Sequence, residues 1–213
     1  MPRLMAATYD RFTAGVEAAG LADWRRELLA DLRGEVVELG AGTGHNLRWY
    51  PVAVTRLVLT EPDPHMRSRL EARVREQRRR RDAGPDHVEV LDRHADDLRL
   101  PDGSADAVVA TLVLCSVPDV DAVLAEVRRV LRPAGRFVYL EHVAAIDTPR
   151  TLRWQHRIEP VWKRLAGNCH LTRSSERSIT EAGLEVDRER RQAMPRAPAI
   201  LRPTVRGVAR RPG

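Results

Sequence analysis

Apolar positions along the chain change period near residue 35. From Thr8 to Leu32 they recur at helical spacing, through Phe12, Val16, Ala19, Trp24, Leu28 and Leu29, with Gly34 beyond them as a stop. The pattern predicts a helical cap over residues 1–34. From Glu35 the run EVVELG is short, rich in β-branched residues and ends on glycine, as a strand covered on both faces would. A second run, RLVLT at 56–60, meets EPDP, where Asp63 can cap and Pro64 can open a helix carrying Met66, Leu70 and Val74 on one face. The alternation continues through strand 87–91, strand 106–113, helix 120–131 and, after a Pro-Ala-Gly turn at 133–135, strand 136–142. Beyond Thr148 the chain turns helical and aromatic, with Trp154 and Trp162, and strands are expected near 184–190 and 204–210. Strand and helix in alternation predict an α/β fold with a doubly wound sheet.

Composition narrows the class. The 213 residues are 43% hydrophobic and 31% charged, which suits one globular domain with its own core. No run approaches the ~18 apolar residues of a membrane helix, so a soluble, unprocessed protein is expected. Two cysteines, Cys115 and Cys169, imply no disulfide framework and fit the cytoplasm; no metal site is expected. The net charge of +6 raises nucleic-acid binding, but the cations, all arginine except Lys163, are spread along the chain. Even the arginine run 78–81 falls at a helix end, where it favourably opposes the dipole. Nucleic acid is therefore not expected as a partner.

The chemistry concentrates in Glu38-Leu39-Gly40-Ala41-Gly42-Thr43-Gly44, between a buried strand and a helix start at His45-Asn46-Leu47. Glycine backbone there lets a ligand approach closely, at the carboxyl end of a strand where open α/β sheets bind ligands. A dinucleotide fingerprint would place a third glycine where His45 stands, which disfavours NAD. Glu61 closes the second strand 21 positions after Gly40, where a carboxylate can accept from both hydroxyls of a ribose.

Loop, ribose acid and the later segment LPDGSADAVVATLVLCSVPD together resemble the class I S-adenosylmethionine-dependent methyltransferases, whose fold is a Rossmann-like, mostly parallel seven-stranded sheet with helices on both faces. More narrowly, VVELGAGTGHNLRWYP, DGSADAVVATLVLCSV, VRRVLRPAGRFVYLEHVAA, WQHRIEPVW and GNCHLTR are similar to the methyltransferase-like 7 family of thiol S-methyltransferases. The resemblance implies that the methyl donor S-adenosylmethionine is held by residues 35–147, and that residues 148–213 cover the acceptor side. It implies that Gly40, Ala41, Gly42, Gly44 and Asn46 line the donor's methionine portion, with Glu38 serving its ammonium. Glu61 takes the ribose, with Pro62 and Met66 beside it. Ala95 and Asp96 meet the adenine, and Thr111 and Leu112 meet the ammonium through backbone. The chain departs from the pattern at His94, where many members carry an aspartate, at Glu61, where aspartate is commoner, and in lacking the apolar anchor of membrane-associated relatives.

Methyl transfer from a sulfonium requires in-line alignment and a deprotonated nucleophile. A thiol is only a few per cent ionised at neutral pH, so an imidazole base at a strand end would help, and His142 ends RFVYLEH. Its alternative is a hydrogen-bonded structural histidine. Cys115, Trp154, His170 and Arg173 are candidate acceptor-side residues, against plainer parts as a buried small hydrophobe, a core aromatic and capping or surface groups; His156 is weaker. A small-molecule acceptor, a thiol or sulfide, is the leading expectation. A quinone carbon or amine is the second, and an inert donor-binding or nucleic-acid-binding protein the third. The oligomeric state is left open.

Overall fold

The computed structural model describes residues 10, 11, 13–80 and 82–213; Thr8, Phe12 and Arg81, named above, lie outside them. Seven strands form one sheet: β1 (Gly34–Leu39), β2 (Val54–Thr60), β3 (His87–Leu91), β4 (Ala105–Thr111), β5 (Leu131–His142), β6 (Glu185–Ala193) and β7 (Pro203–Arg210). Their order is β3-β2-β1-β4-β5-β7-β6, parallel except for β7, which runs antiparallel to both neighbours. Among the described residues it is accompanied by helices α1 (Ala22–Leu29), α2 (Pro64–Arg80), α3 (Val120–Val130), α4 (Pro149–Leu165) and α5 (Ser175–Glu181).

The continuous apolar runs of the inner strands follow from burial on both faces. Val36, Leu57, Leu59 and Val109 pack with Leu28, Leu29, Leu70 and Val74 on one face. Their neighbours Val37, Val58, Val108 and Ala110 pack with Val123, Leu124, Val127 and Ile179 on the other. Asp63 Oδ1 accepts from the N–H groups of His65 (2.9 Å) and Met66 (3.0 Å), so α2 starts at Pro64 as the sequence predicts. Asp119 caps α3 in the same way, accepting from Asp121 and Ala122. β6, the outer edge, carries EVDRERRQA, a charged strand that discourages edge-to-edge pairing.

Three local expectations change. The N-terminal helical stretch breaks at Gly20, whose φ of 134° no helix accommodates, and it ends at Leu29 instead of Leu32. The Pro-Ala-Gly segment is a bulge inside β5: Leu131 pairs with Ala105 and Arg136 with Ala107, with Ala134 at φ 60° between them. β4 stops at Thr111 because Leu112 takes a φ of 60°, a costly conformation for a leucine.

The strand order places the switch point between β1 and β4. β1 continues outward through β2 and β3, whereas β4 and β5 lie on the opposite side, so the loops leaving β1 and β4 diverge around a crevice. Among the described residues no helix is long and apolar enough to cross a membrane.

Candidate active site

Three segments meet at the carboxyl ends of β1, β4 and β5. The loop after β1 is turned by Gly40, Gly42 and Gly44, all with positive φ, and is tied to β2 by the Ala41 N–H on Thr60 O (2.8 Å). A Cβ on Gly44 would lie 2.8 Å from Leu70 Cδ1, so that position is glycine for packing against α2. Gly42 differs: a Cβ there would meet nothing nearer than 4.0 Å, so the backbone faces open space. Its N–H donates to Glu61 Oε2 at 2.8 Å, while Glu61 Oε1 accepts from the Asp63 N–H at 2.9 Å. Glu61 is buried, which pushes its carboxyl above the usual range, yet each oxygen keeps a lone pair beyond its backbone bond. Pro62 follows it, and Met66 is buried on the first turn of α2. Ala95 is half-buried against the α3 face of the core, whereas His94 and Asp96 are exposed.

Behind the glycine loop lies a buried polar chain. Glu38 accepts from Asn46 Nδ2 (2.9 Å) and from the Tyr50 hydroxyl (2.7 Å). Arg25 donates from Nη1 to Asn46 Oδ1 (2.9 Å) and Thr111 Oγ1 (2.8 Å), and from Nε to Glu17 (3.0 Å). Glu38 thus orients Asn46 and Tyr50, one through each of its oxygens. Arg25 escaped the sequence reading, although Glu17, Leu21, Arg25 and Leu29 share one helical stripe and all are buried. A charged pair on a buried stripe was the available signal.

Burial raises the Glu38 carboxyl to about 7, against the Tyr50 and Asn46 hydrogen bonds and nearby Arg25, which favour the charged form. The native state therefore holds a proton on Glu38 that the unfolded chain releases near 4.5. Its contribution is fully present below that range and is lost as pH rises through about 7. His45 and His170, both lowered chiefly by burial, act in the opposite sense, so the test is a difference. Between about pH 5 and pH 8, Glu38→Gln is expected to gain on the order of 2 kcal/mol relative to the wild type in urea unfolding. A gap that stays flat would show Glu38 ionised throughout.

The turn after β4 is held by a second buried carboxylate. Glu141, fully buried at the end of β5, accepts from the N–H groups of Val113 and Leu114 at 3.0 Å and of Cys115 at 3.3 Å. Burial raises its carboxyl to about 7 against these three donors. Arg173 Nη1 donates to the carbonyls of Leu114 and, at 2.8 Å, Val117, clamping the same turn by its backbone. The His170 N–H donates to Cys115 O at 2.7 Å, which lays the segment after α4 across the turn.

Here His142, Cys115 and Cys169 converge. The two Sγ atoms and one ring nitrogen of His142 all lie within 4.8 Å of one another, with Cys169 Sγ 4.0 Å from His142 Nδ1. His142 Nε2 lies 3.2 Å from Ile200 O, a carbonyl that also accepts from Gln155 Nε2 at 2.9 Å. Ile200 O can only accept, so Nε2 carries a proton, and Nδ1 is the ring nitrogen that faces the sulfurs. Cys169 carries the thiolate of the pair, lowered by the Cys115 thiol and then by His142 and Trp162, and Cys115 is raised by that thiol contact and by burial. Cys169 escaped the sequence reading as a site residue; only the tertiary fold brings it to His142. Trp162 packs beside Cys169, whereas Trp154 is 51% exposed, with the Arg157 guanidinium over its ring.

A methyltransferase-domain family matches residues 37–139, from β1 into β5. The human thiol S-methyltransferase TMT1B is 34% identical over 217 aligned residues, covering 98% of this chain and 84% of that protein. Human TMT1A, also named a thiol S-methyltransferase, is 32% identical, covering 89% of this chain and 79% of its own. The chain belongs to the thiol S-methyltransferase family. In fold it is similar to a geranyl diphosphate methyltransferase solved with S-adenosylmethionine, with a TM-score of 0.67 at 16% identity over 91% of this chain and 85% of that one. It is a class I methyltransferase, and its methyl donor is S-adenosylmethionine. The open cradle over Gly42, with a buried carboxylate 2.8 Å from its N–H, fits a ligand that carries a ribose diol.

Proposed function

We propose that this protein transfers a methyl group from S-adenosylmethionine to the sulfur of a small-molecule thiol or sulfide. The observation that carries the reading is the pairing of its family, whose human members are named thiol S-methyltransferases, with a sulfur- and imidazole-lined group at the ends of β4 and β5. The donor supplies an electrophilic methyl on a sulfonium, and the chain's own residues position it. Gly40, Ala41, Gly42, Gly44 and Asn46 lie along its methionine portion, and the Thr111 and Leu112 backbone meets its ammonium. Arg25 places a buried positive charge behind Asn46 and Thr111, where a carboxylate needs one. Glu61 accepts from the ribose, Pro62 and Met66 wall the adenine, and Ala95 and Asp96 meet its edge. Residues 13–34 cap this site and residues 148–213 cover the acceptor. Two free thiols in the site suit a reducing compartment such as the cytoplasm.

The test is release of S-adenosylhomocysteine by purified protein given the donor and, separately, alkyl thiols, sulfide, amines and a quinol. Turnover is expected with thiols or sulfide alone. Turnover on the amine or quinol with none on sulfur would overturn the acceptor class and leave the donor site intact.

A further inference from the structure

We infer that Cys115, Cys169 and His142 are the three protein ligands of a zinc(II) ion whose fourth position takes the sulfur of the acceptor. The choice of fourth ligand rests on the thiol reading; the metal site itself does not.

Geometry comes first. A tetrahedral zinc with Zn–S of about 2.3 Å and Zn–N of about 2.0–2.1 Å sets its ligand atoms roughly 3.5–3.8 Å apart. The three atoms here lie within 4.8 Å of one another, and the Cys169–His142 pair at 4.0 Å, so small side-chain rotations close the site. The ligands come from three elements, the turn after β4, the end of β5 and the segment after α4, and each backbone is fixed. Glu141 holds the Cys115 N–H, His170 holds the Cys115 carbonyl at 2.7 Å, and the Cys169 N–H donates to Ala166 O at 3.2 Å.

The imidazole is set as a ligand. Its Nε2–H is spent on Ile200 O, which leaves Nδ1 as the nitrogen directed at the sulfurs and available to a metal. Metal-binding histidines are oriented in this way, by a carbonyl or carboxylate on the far nitrogen. The support extends one shell further. Gln155, fully buried in α4, donates to the same Ile200 carbonyl and accepts from the Ala145 N–H at 2.7 Å. In this arrangement His142 is a ligand, not the proton acceptor that the sequence pattern suggests.

Charge and vacancy follow from the donor set. Two thiolates and a neutral imidazole neutralise a divalent cation, which removes the penalty of an isolated buried charge. Glu141, the neighbouring carboxylate, accepts from Val113, Leu114 and Cys115 and is not among the residues whose ligand atoms lie within 4.8 Å of one another. Two cysteines and one histidine with an open position form a donor set of catalytic zinc. The group lies at the carboxyl ends of β4 and β5, close to the glycine loop, where Gly40 packs against Val113.

The step balances. An acceptor R–SH gives its proton to solvent as its sulfur bonds to zinc. The thiolate sulfur then forms the new S–CH3 bond while the donor's methyl–sulfonium bond breaks, with the electron pair left on the departing sulfur. The products are a thioether, S-adenosylhomocysteine and a proton, and the thioether, a weak ligand, dissociates.

The experiment uses full-length protein purified without metal-chelate resin, stripped with a chelator and titrated with Zn2+, then with Co2+ as a spectroscopic probe. One metal per chain is expected by elemental analysis, with sulfur-to-cobalt charge transfer and tetrahedral visible bands that shift when a small thiol is added. Cys115→Ser, Cys169→Ser and His142→Ala are each expected to weaken the metal at least ~100-fold, and Gln155→Leu about 10–100-fold. Unchanged binding of S-adenosylmethionine shows that each variant is folded. Sub-stoichiometric metal, equal metal affinity in Cys169→Ser, or a Cys115–Cys169 disulfide in protein purified under reducing conditions would overturn the site. Full thiol turnover by metal-free protein would also overturn it while leaving the proposed function standing. Cobalt bands that ignore every thiol would remove the acceptor from the fourth position.

Discussion

Replacing Glu141 by alanine is expected to destabilise the protein by at least about 3 kcal/mol and to abolish methyl transfer, because the buried N–H groups of Leu114 and Cys115 and the partly buried one of Val113 lose their acceptor at once. An orphaned buried donor costs ~1–3 kcal/mol, and Glu141 has no exposed surface. The conservative variant separates charge from hydrogen bonding. In Glu141→Gln the amide oxygen can still accept from Val113 and Leu114, but the amide nitrogen then faces the Cys115 N–H, donor against donor. About half the loss is expected, with the damage centred on Cys115. Urea unfolding measures the stabilities, and S-adenosylhomocysteine release measures the activity. A Glu141→Ala protein within about 1 kcal/mol of wild type would mean that the 113–115 turn does not depend on this carboxylate.

The sequence carried the parts of this structure that depend on local period and backbone permission. β1, β2 and β4 announce themselves as apolar runs because they are covered on both faces, and the switch point follows from the strand order. The glycine loop and Glu61 were legible for the same local reason: a strand end, a backbone without side chains, and an acid at the next strand end. What stayed hidden depends on the third dimension. Cys169 meets Cys115 and His142 only because the segment after α4 crosses the β4 turn. Glu141 looks like one charge at a strand end until its three backbone donors are seen. Nor does any sequence pattern announce that Arg173 spans two carbonyls of the turn or that Glu38 holds Asn46 and Tyr50. The end of β4 moved from residue 113 to Thr111 because Leu112 adopts a positive φ, which no propensity predicts for leucine. Strain at that point is consistent with a backbone held for binding and not for stability.

Replacing Gly42 by valine is expected to weaken S-adenosylmethionine binding about 1,000-fold, near 4 kcal/mol, while the protein still folds. The fold survives because a Cβ at Gly42 meets no protein atom closer than 4.0 Å. The side chain instead occupies the space above the loop that the donor needs. Backbone strain confounds the result, since Gly42 has φ 59° and a valine there is disfavoured by about 1–2 kcal/mol whatever lies above it. Gly103 supplies the control: its φ is 58°, its Cβ would also meet nothing within 4 Å, and it lies before β4, at the opposite end of the strand from the site. Gly103→Val therefore reproduces the strain without the obstruction. Calorimetric titration of the donor into both variants, with urea unfolding alongside, separates the two effects. Equal stability losses with binding lost only in Gly42→Val would place the donor over Gly42. Equal donor affinity in the two variants would move it elsewhere and take the Glu61 ribose contact with it, because Glu61 reaches the loop through the Gly42 N–H.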